Sequence, residues 1–201
     1  MEVFLASGNA HKFEEFAEMI YKDRLPVKLH LANDIGGMPE VEETGTTFEA
    51  NARIKGEALL DKLPEGAWAL ADDSGLEVDA LDGAPGVQSA RYAGPAGNAA
   101  ANNIKLLQAL RGVPMKNRTA RFVCVLFFAN SGGEDYCFRG SCEGHILETP
   151  SGKGGFGYDP LFQPLGYNKS FAALGSAVKH GLSHRGRALK EWMQFVRRLA
   201  G

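Results

Sequence analysis

The sequence has no long apolar run, no excess of either charge and no cysteine pair, and each of these absences excludes a class of protein. No apolar run approaches about 18 residues, so nothing predicts a helix that spans a membrane. The first residues show no basic segment followed by an apolar one, so nothing indicates an export signal. We therefore expect a cytoplasmic protein without a membrane partner.

Charge of one sign is also missing. The 22 Lys and Arg residues and the 24 Asp and Glu residues give a formal net charge of −2. A chain without a basic excess has no general attraction for nucleic acid or for anionic membranes. We expect no nucleic-acid partner, and any anionic ligand must be held by a local site.

Cysteine is scarce. The only cysteines are Cys124, Cys137 and Cys142, and none of them lies in a CxxC pair. An odd number of cysteines in apolar, strand-like surroundings predicts reduced core thiols in a cytosolic protein and argues against a disulfide framework or a zinc site.

The segments that are present alternate between strand-like and helix-like patterns. A chain of 201 residues, of which 44% are hydrophobic, is long enough for one full core, so we expect a single domain over residues 1–201. The alternation predicts the α/β class with a mixed sheet. Strands are predicted at 3–7, 67–71 and 76–81, then a long strand over 120–129 and a hairpin or meander over 134–147. Helices are predicted at 9–23, 46–60, 98–112 and 183–200.

Capping residues and apolar spacing refine the helices. Threonines can cap helix 46–60, and a Glu lies at capping-box distance from Thr46. Ser183 is expected to open the last helix. Apolar residues at helical spacing are expected to face the core. They are Ile104, Leu107 and Leu110 in the third helix and Leu189, Trp192, Val196 and Leu199 in the last.

The stretch LASGNAHK joins the first strand to the first helix through Ser-Gly-Asn. The start of a helix offers free backbone N–H groups and the positive end of the helix dipole, so a phosphate can bind there, with Lys12 adding charge. The alternative is an ordinary turn in which Asn9 caps the helix.

The stretch EVEETGTTFEANARIK places two acids, Glu42 and Glu43, just before the second helix. Within that helix Asn51 and Lys55 are four residues apart and therefore share one face. The alternatives are solvated charge in a loop and a wet helix face.

Two adjacent carboxylates, Asp72 and Asp73, follow the predicted strand 67–71. Ligands of open α/β sheets bind at the carboxyl ends of strands, and Mg²⁺ takes one or two carboxylates together with phosphate oxygens. Because side chains alternate along a strand, both acids face one side only if the strand has already ended. The alternative is a turn at Ser74-Gly75 that caps the next element.

The glycine-rich stretch TPSGKGGFGYDPLF is not a phosphate-binding P-loop, because Leu147 and Gly154 break the GxxxxGK[ST] pattern. What remains is a loop with an aromatic face and a carboxylate, which suits stacking on a base and reading its edge. The alternative is a plain glycine-rich hairpin.

The stretch KHGLSHRGRAL brings Lys179, His184 and Arg185 to the first turn of the last helix. Cations at the start of a helix oppose its dipole, so stability alone does not explain them. A local rule broken in this way indicates function.

Five stretches together resemble the successive signatures of the inosine triphosphate pyrophosphatase family. They are LASGNAHKFEEF, EETGTTFEANARIKG, ALADDSGLEVDALDGAPGVQSARYAG, GGFGYDPLF and SHRGRAL. They span nearly the whole chain in the order of the family. The resemblance implies an α/β fold with a long central mixed sheet flanked by helices, two lobes with the active cleft between them, and a homodimer.

The resemblance also implies the reaction and the roles of residues. The family hydrolyses non-standard purine nucleoside triphosphates (ITP, dITP, XTP) to the monophosphate and pyrophosphate. Asp73 would be the general base, and Glu42 or Glu43 would hold Mg²⁺ together with Asp73, with Mn²⁺ as a substitute. The phosphate chain would be bound by Ser7, Gly8, Asn9, Ala10, His11, Lys12 and Lys55, and Ser74 would touch the substrate. The purine would be bound by Phe156, Gly157, Tyr158, Asp159, Lys179, His184 and Arg185.

Two other functions remain open. One is a pyrophosphatase for pyrimidine or other modified nucleotides. The other is a non-catalytic module that senses nucleotides or binds RNA with the same cations. The four acids Glu42, Glu43, Asp72 and Asp73 argue against such a module, because carboxylates near phosphates are unfavourable without a metal.

Overall fold

The computed structural model describes residues 1–95, 97–174 and 181–200. The chain divides into two compact units. Unit 1 contains Met1–Asp73, Cys124–Arg139 and the chain from Ala188 onward, and unit 2 contains Ser74–Val123 and Gly140–Arg187. The single domain over residues 1–201 and the cleft between two lobes stay predictions.

The strands form one mixed six-stranded sheet in the order β2-β1-β3-β4-β5-β6. They are β1 (Glu2–Leu5), β2 (Lys28–Leu31), β3 (Trp68–Val78), β4 (Thr119–Asn130), β5 (Asp135–Ile146) and β6 (Phe162–Pro164). Strand β1 pairs in parallel with β2 and β3, whereas β5 pairs with β6 in antiparallel fashion. The mixed sheet of the predicted α/β class is confirmed.

Four α-helices accompany the sheet in the part of the chain that the structure describes. They are α1 (Ala10–Lys22), α2 (Phe48–Leu60), α3 (Ala99–Ala109) and α4 (His184–Ala200). None of the described helices has the length and apolar character needed to cross a membrane.

Strand β3 is the main correction to the expected elements. The sequence predicts two strands, 67–71 and 76–81, with a turn at Ser74-Gly75 as the alternative interpretation of the two acids. Instead, one strand runs unbroken from Trp68 to Val78, and a short 3-10 helix, Asp79–Leu81, follows it. Ser74 and Gly75 continue in extended conformation because apolar residues before and after them are buried in the sheet. The turn alternative is therefore wrong, and Asp72 and Asp73 lie within a strand.

The two faces of β3 in unit 1 are covered by different helices. Trp68 and Leu70 lie in one apolar cluster with Phe16 of α1 and Trp192 of α4. On the other face α2 comes so close that a Cβ atom added to Gly56 would lie 3.4 Å from the Cβ atom of Ala71. Because side chains alternate along a strand, Asp72 shares the α1 face and Asp73 shares the α2 face.

Helix α3 shows why one buried position was mispredicted. Ile104 is 57% exposed, although its spacing predicted a core position. The buried stripe contains Asn102, Leu106 and Leu110, each four residues from the next, and Ile104 lies on the opposite side of the helix. Because Asn102 is polar, a pattern based on apolar residues alone did not identify the buried side of the helix.

Three smaller predictions also differ. Helix α2 is capped by Thr47, whose Oγ1 accepts the Ala50 N–H at 3.1 Å, and not by Thr46. Leu199 is exposed in the last turn of α4. Cys124 and Cys142 are buried free thiols as expected, but Cys137 lies on the exposed side of β5, where side chains alternate.

Candidate active site

Asp72 and Asp73 are each paired with a lysine, and the two lysines come from opposite faces of β3. Asp72 Oδ1 lies 2.8 Å from Nζ of Lys12 on α1, and the Asp72 side chain is 1% exposed. Asp73 Oδ1 lies 3.0 Å from Nζ of Lys55 on α2. Adjacent carboxylates in a buried strand thus have one cation on each side, which offsets the unfavourable burial of charge.

The Lys55 ammonium lies between two carboxylates. Its Nζ is 3.0 Å from Asp73 Oδ1 and 3.3 Å from Glu43 Oε2. Burial alone would lower the pKa of Lys55, but the charges of Asp73, Asp72 and Glu43 outweigh burial and raise it. Lys55 is therefore fully charged at neutral pH.

Asp73 is in the opposite situation. Burial raises the pKa of the Asp73 carboxyl, and the negative charges of Glu43 and Asp72 act in the same direction. Lys55 acts against this rise through its charge and its hydrogen bond. A carboxyl with a raised pKa is a stronger base than a solvated one, which suits it to accepting a proton.

The carboxylate oxygens of Glu43 and Asp73 are suitable ligands for a divalent cation. A cation, the Lys55 ammonium, already holds Glu43 and Asp73 together, and hard divalent cations take carboxylate and phosphate oxygens. Among the described residues, no group of three or more His, Cys, Asp or Glu side chains is arranged to hold a metal. Glu42 is exposed. For such a cation the protein would offer two carboxylates, Glu43 and Asp73, and water or substrate would supply the other ligands.

The turn before α1 has the Asn9 cap of the alternative interpretation, and the phosphate site there stays a prediction. Asn9 Oδ1 accepts the Lys12 N–H at 3.3 Å, and Ser7 Oγ accepts the Asn9 N–H at 3.1 Å. Asn9 therefore caps the helix, and Gly8, Asn9 and Ala10 remain exposed. The cap and a phosphate site are compatible, because an Asn cap occupies only one of the free N–H groups of a helix start. The side chain of His11 lies outside the described part of the chain.

Gly8 allows a direct test of this turn. A Cβ atom added there would meet no atom within 4 Å, so Gly8→Ala should leave the fold and the melting temperature unchanged. If phosphate oxygens approach the backbone at Gly8, the added methyl group excludes them, and we expect KM to rise by about tenfold. Steady-state kinetics measure this, and an unchanged KM would contradict a phosphate contact at Gly8.

The predicted purine-binding loop lies in unit 2, and its residues differ in exposure. Phe156 is 64% exposed, whereas Tyr158 and Asp159 are buried. Asp159 Oδ2 accepts the Phe156 N–H at 2.8 Å, and the Tyr158 hydroxyl donates to the Ser89 carbonyl at 2.8 Å. Gly157 has a positive φ of 59°, which favours glycine. The Phe156 ring is thus open to solvent. Asp159 fixes the backbone of Phe156 through its hydrogen bond, and Tyr158 anchors the loop to Ser89.

His184 and Arg185, at the start of α4, are buried in unit 2. Ser183 Oγ accepts the Gly186 N–H at 3.0 Å, so Ser183 opens the helix as predicted. The His184 ring stacks on Phe122 with 4.9 Å between ring centroids. Arg185, the next residue, is also buried. Lys179 lies outside the described residues. Ser74 follows Asp73 in β3 and is half-buried.

A family model described as the Ham1 family matches residues 3–195. The chain belongs to the Ham1 family. A protein of Opitutus terrae named dITP/XTP pyrophosphatase is 50% identical over 199 residues, covering 96% of this chain and 98% of that protein. A protein of Desulforamulus reducens with the same name is 49% identical, covering 99% and 97% of the two chains. The family resemblance inferred from the motifs is thereby confirmed.

Solved structures of Ham1 proteins share the fold. The Coxiella burnetii HAM1 protein superposes with a TM-score of 0.90 at 38% identity, covering 98% of this chain and 99% of that one. The Staphylococcus aureus Ham1 protein gives a TM-score of 0.88 at 38% identity, covering 98% of each chain. The predicted fold, a mixed sheet flanked by helices, is the fold of this family.

Asn51 is a further residue of this candidate site, and the motifs assign it no role. It was paired with Lys55 on one helix face, and the structure places it 2% exposed against Asp73. The usable signal was its position, four residues before a lysine and one residue before a buried alanine, because a polar residue in the buried part of a helix needs a polar partner.

Proposed function

We propose that this Ham1-family protein hydrolyses non-standard purine nucleoside triphosphates, namely dITP, ITP and XTP, to the nucleoside monophosphate and pyrophosphate. Relatives that are 49% and 50% identical over nearly their whole length are named dITP/XTP pyrophosphatases. The structural observation that supports the proposal is the Lys55 ammonium held between Glu43 and Asp73. A partly buried group of two acids and a lysine suits a metal-assisted reaction of a phosphate anhydride.

Mg²⁺ is the proposed metal, with Mn²⁺ as a substitute, and Glu43 and Asp73 are its proposed ligands. Glu42 is the alternative to Glu43. When bound, the metal offsets the negative charge of the phosphates and lowers the pKa of a coordinated water. Asp73 would accept the proton of the attacking water, since it lies beside the proposed metal position.

The phosphate chain is bound by Lys12, Lys55 and the turn from Ser7 to His11. Each lysine is paired with a carboxylate in the structure, so its ammonium is already oriented at the end of a side chain whose freedom is restricted. Orientation before binding reduces the entropy lost when the substrate binds. Ser74, next to Asp73, contacts the substrate.

The purine is bound by residues of unit 2. Phe156 offers its exposed ring for stacking, and Gly157, Tyr158 and Asp159 keep its backbone in place. Lys179, His184 and Arg185 donate hydrogen bonds to the base. The protein acts as a homodimer in the cytoplasm, with no nucleic-acid partner.

A panel of nucleoside triphosphates tests the function. The panel contains inosine, deoxyinosine, xanthosine, guanosine, adenosine, cytidine and uridine triphosphates with Mg²⁺, and both pyrophosphate and monophosphate release are measured. Equal release of the two products from the inosine and xanthosine compounds is expected. Preference for a pyrimidine would favour the alternative pyrophosphatase, and binding without hydrolysis would favour a nucleotide-sensing module.

Metal removal should lower turnover. Without a divalent cation, Lys55 and Lys12 offset only part of the negative charge of the triphosphate, Glu43 and Asp73, so we expect EDTA to reduce kcat on the order of 10²-fold or more. Adding Mg²⁺ or Mn²⁺ back in excess should restore it. Full pyrophosphate release in EDTA, with the metal content checked by atomic absorption, would contradict the metal assignment.

A further inference from the structure

Asn51 is a buried amide on α2 that contacts two separate parts of unit 1. Its Oδ1 accepts the N–H of Gly45 at 2.8 Å, and its Nδ2 donates to Asp73 Oδ2 at 3.4 Å. Gly45 lies two residues after Glu43 in a segment without helix or strand. One side chain thus joins the segment that carries Glu43 to the carboxylate of Asp73.

The orientation of this amide is fixed by its partners. A backbone N–H can only donate, so the atom that faces Gly45 must be the Asn51 oxygen. The Asn51 nitrogen therefore faces Asp73, and a carboxylate is an acceptor. Lys55 approaches the other oxygen of Asp73, so the carboxylate is held at both oxygen atoms.

The close approach of Gly45 to α2 supports a built link. A Cβ atom added to Gly45 would lie 2.6 Å from Asn51 Oδ1 and 2.8 Å from the Ala50 Cβ atom. Both distances are shorter than atoms of these types tolerate, so only glycine allows the segment to come this near. The link therefore depends on both residues, on the small size of Gly45 and on the amide of Asn51.

We propose that Asn51 is a positioning residue that keeps Glu43 and Asp73 at the spacing needed for the metal during turnover, an inference that rests on the proposed function. Lys55 also connects these acids, but the phosphates of a bound nucleotide attract its charge. The Asn51 amide is neutral, so phosphate competes much less for its two hydrogen bonds. It maintains the spacing when Lys55 turns to the substrate.

Two substitutions separate the two links. Asn51→Ala removes both, whereas Asn51→Asp keeps an oxygen for Gly45 and replaces the donor to Asp73 with a second carboxylate. The amide exchange rate of Gly45, measured by NMR on the protein without ligand, reports the first link and does not depend on activity. The kcat, the KM for nucleotide and the Mg²⁺ concentration for half-maximal rate report the second.

For Asn51→Ala we expect Gly45 exchange to speed up about tenfold, kcat to fall about tenfold and the half-maximal Mg²⁺ concentration to rise about tenfold, with KM changed less than about threefold. For Asn51→Asp we expect Gly45 exchange to stay within about threefold of wild type while kcat remains low. A purely structural role would not separate these readouts.

Asn102→Ala is the matched control. Asn102 is also a buried asparagine whose Oδ1 accepts a backbone N–H, that of Ala93 at 2.7 Å, but it lies in unit 2. It should lower the melting temperature without changing Gly45 exchange or the Mg²⁺ dependence. If Asn51→Ala does not fold, Gly45→Ala disturbs the same link from the segment side and must raise the half-maximal Mg²⁺ concentration.

Wild-type Gly45 exchange and Mg²⁺ dependence in folded Asn51→Ala would overturn the proposal, as would a wild-type Mg²⁺ dependence in Gly45→Ala. Failure of the proposed function has a different result, since wild-type protein would then release no pyrophosphate from any triphosphate. In that case, Mn²⁺ binding by wild type and Asn51→Ala, followed by electron paramagnetic resonance, decides the positioning role without activity. Equal Mn²⁺ affinity would overturn it.

Discussion

Asp73→Asn is expected to lower kcat by a factor of roughly 10² to 10⁴ while the protein stays folded and binds nucleotide, as loss of a general base and of a metal ligand predicts. The amide has the shape of the carboxyl group, so packing against α2 is kept. It cannot accept the proton of the attacking water and is a weaker metal ligand. Single-turnover kinetics with ITP, together with a melting curve, measure the effect.

Asp72→Asn is the matched control, because Asp72 is the neighbouring acid in the same strand but on the other face. It pairs with Lys12, so its loss should affect phosphate binding more than chemistry, and we expect kcat to fall less than about tenfold. A near-normal kcat for Asp73→Asn with a normal melting curve would remove Asp73 from the mechanism. Equal losses in both variants would contradict the assignment of different roles to the two acids.

The long elements of the fold could be predicted because their patterns are strong. Helices α1 and α4 have clear apolar stripes, and β4 is a continuous apolar run, so the α/β class followed from spacing. The short strands β2 and β6, of four and three residues, were not predicted. Their pairing with neighbouring strands determines them, and the sequence of so short a segment holds no periodicity.

The continuity of β3 shows a different limit. Asp72, Asp73, Ser74 and Gly75 have low intrinsic strand preference, so local sequence favours a turn. The structure keeps them in a strand because the apolar residues on either side are buried in the sheet, and because each acid has a cation beside it, Lys12 on one face and Lys55 on the other. These partners are distant in the chain, so the local pattern could not reveal them.

The candidate site was predictable as a set of residue types but not as a set of contacts. The motifs pointed to Glu43, Lys55 and Asp73, which the structure brings together. The sequence could not separate Glu42 from Glu43, because adjacent residues of a loop have no fixed direction. Nor could it show that Phe156 is exposed and Asp159 is buried. The conformation of a glycine-rich loop depends on hydrogen bonds such as that between Asp159 and the Phe156 N–H, and the sequence does not reveal them.

Base selectivity is the second large effect that we expect. A 6-oxo purine presents an acceptor where adenine presents an amino donor, and Lys179, Arg185 and protonated His184 can only donate. Adenine would leave donors facing a donor. Each buried donor that is left without a hydrogen-bond partner weakens binding by about 1 to 3 kcal/mol. Two such mismatches give roughly 10² to 10⁴ in kcat/KM for ITP over ATP.

The buried position makes this argument stronger for Arg185 than for a cation at a surface site. Arg185 and His184 are buried at the start of α4, and the His184 ring is fixed by stacking on Phe122. Donors in a buried place lose access to water, so a wrong base cannot be compensated by solvent. Guanine shares the 6-oxo group, so its exclusion must act at the 2-amino position, for which Asp159 and the loop backbone are the candidates.

The measurement is kcat/KM for ITP, XTP, GTP and ATP in wild type, Lys179→Ala and Arg185→Lys. Arg185→Lys keeps the charge but loses the forked donor geometry, so it should lower the ratio of ITP to ATP by about tenfold, while Phe156→Ala, which removes only stacking, should weaken all four substrates alike. If wild type prefers ATP, or if both cation variants keep every ratio, donors at the start of α4 do not select the base. A donor that distinguishes the 6-oxo group from the 6-amino group must change the ratio of kcat/KM for ITP and ATP when it is replaced. A residue that only stacks on the ring changes kcat/KM for all four substrates together.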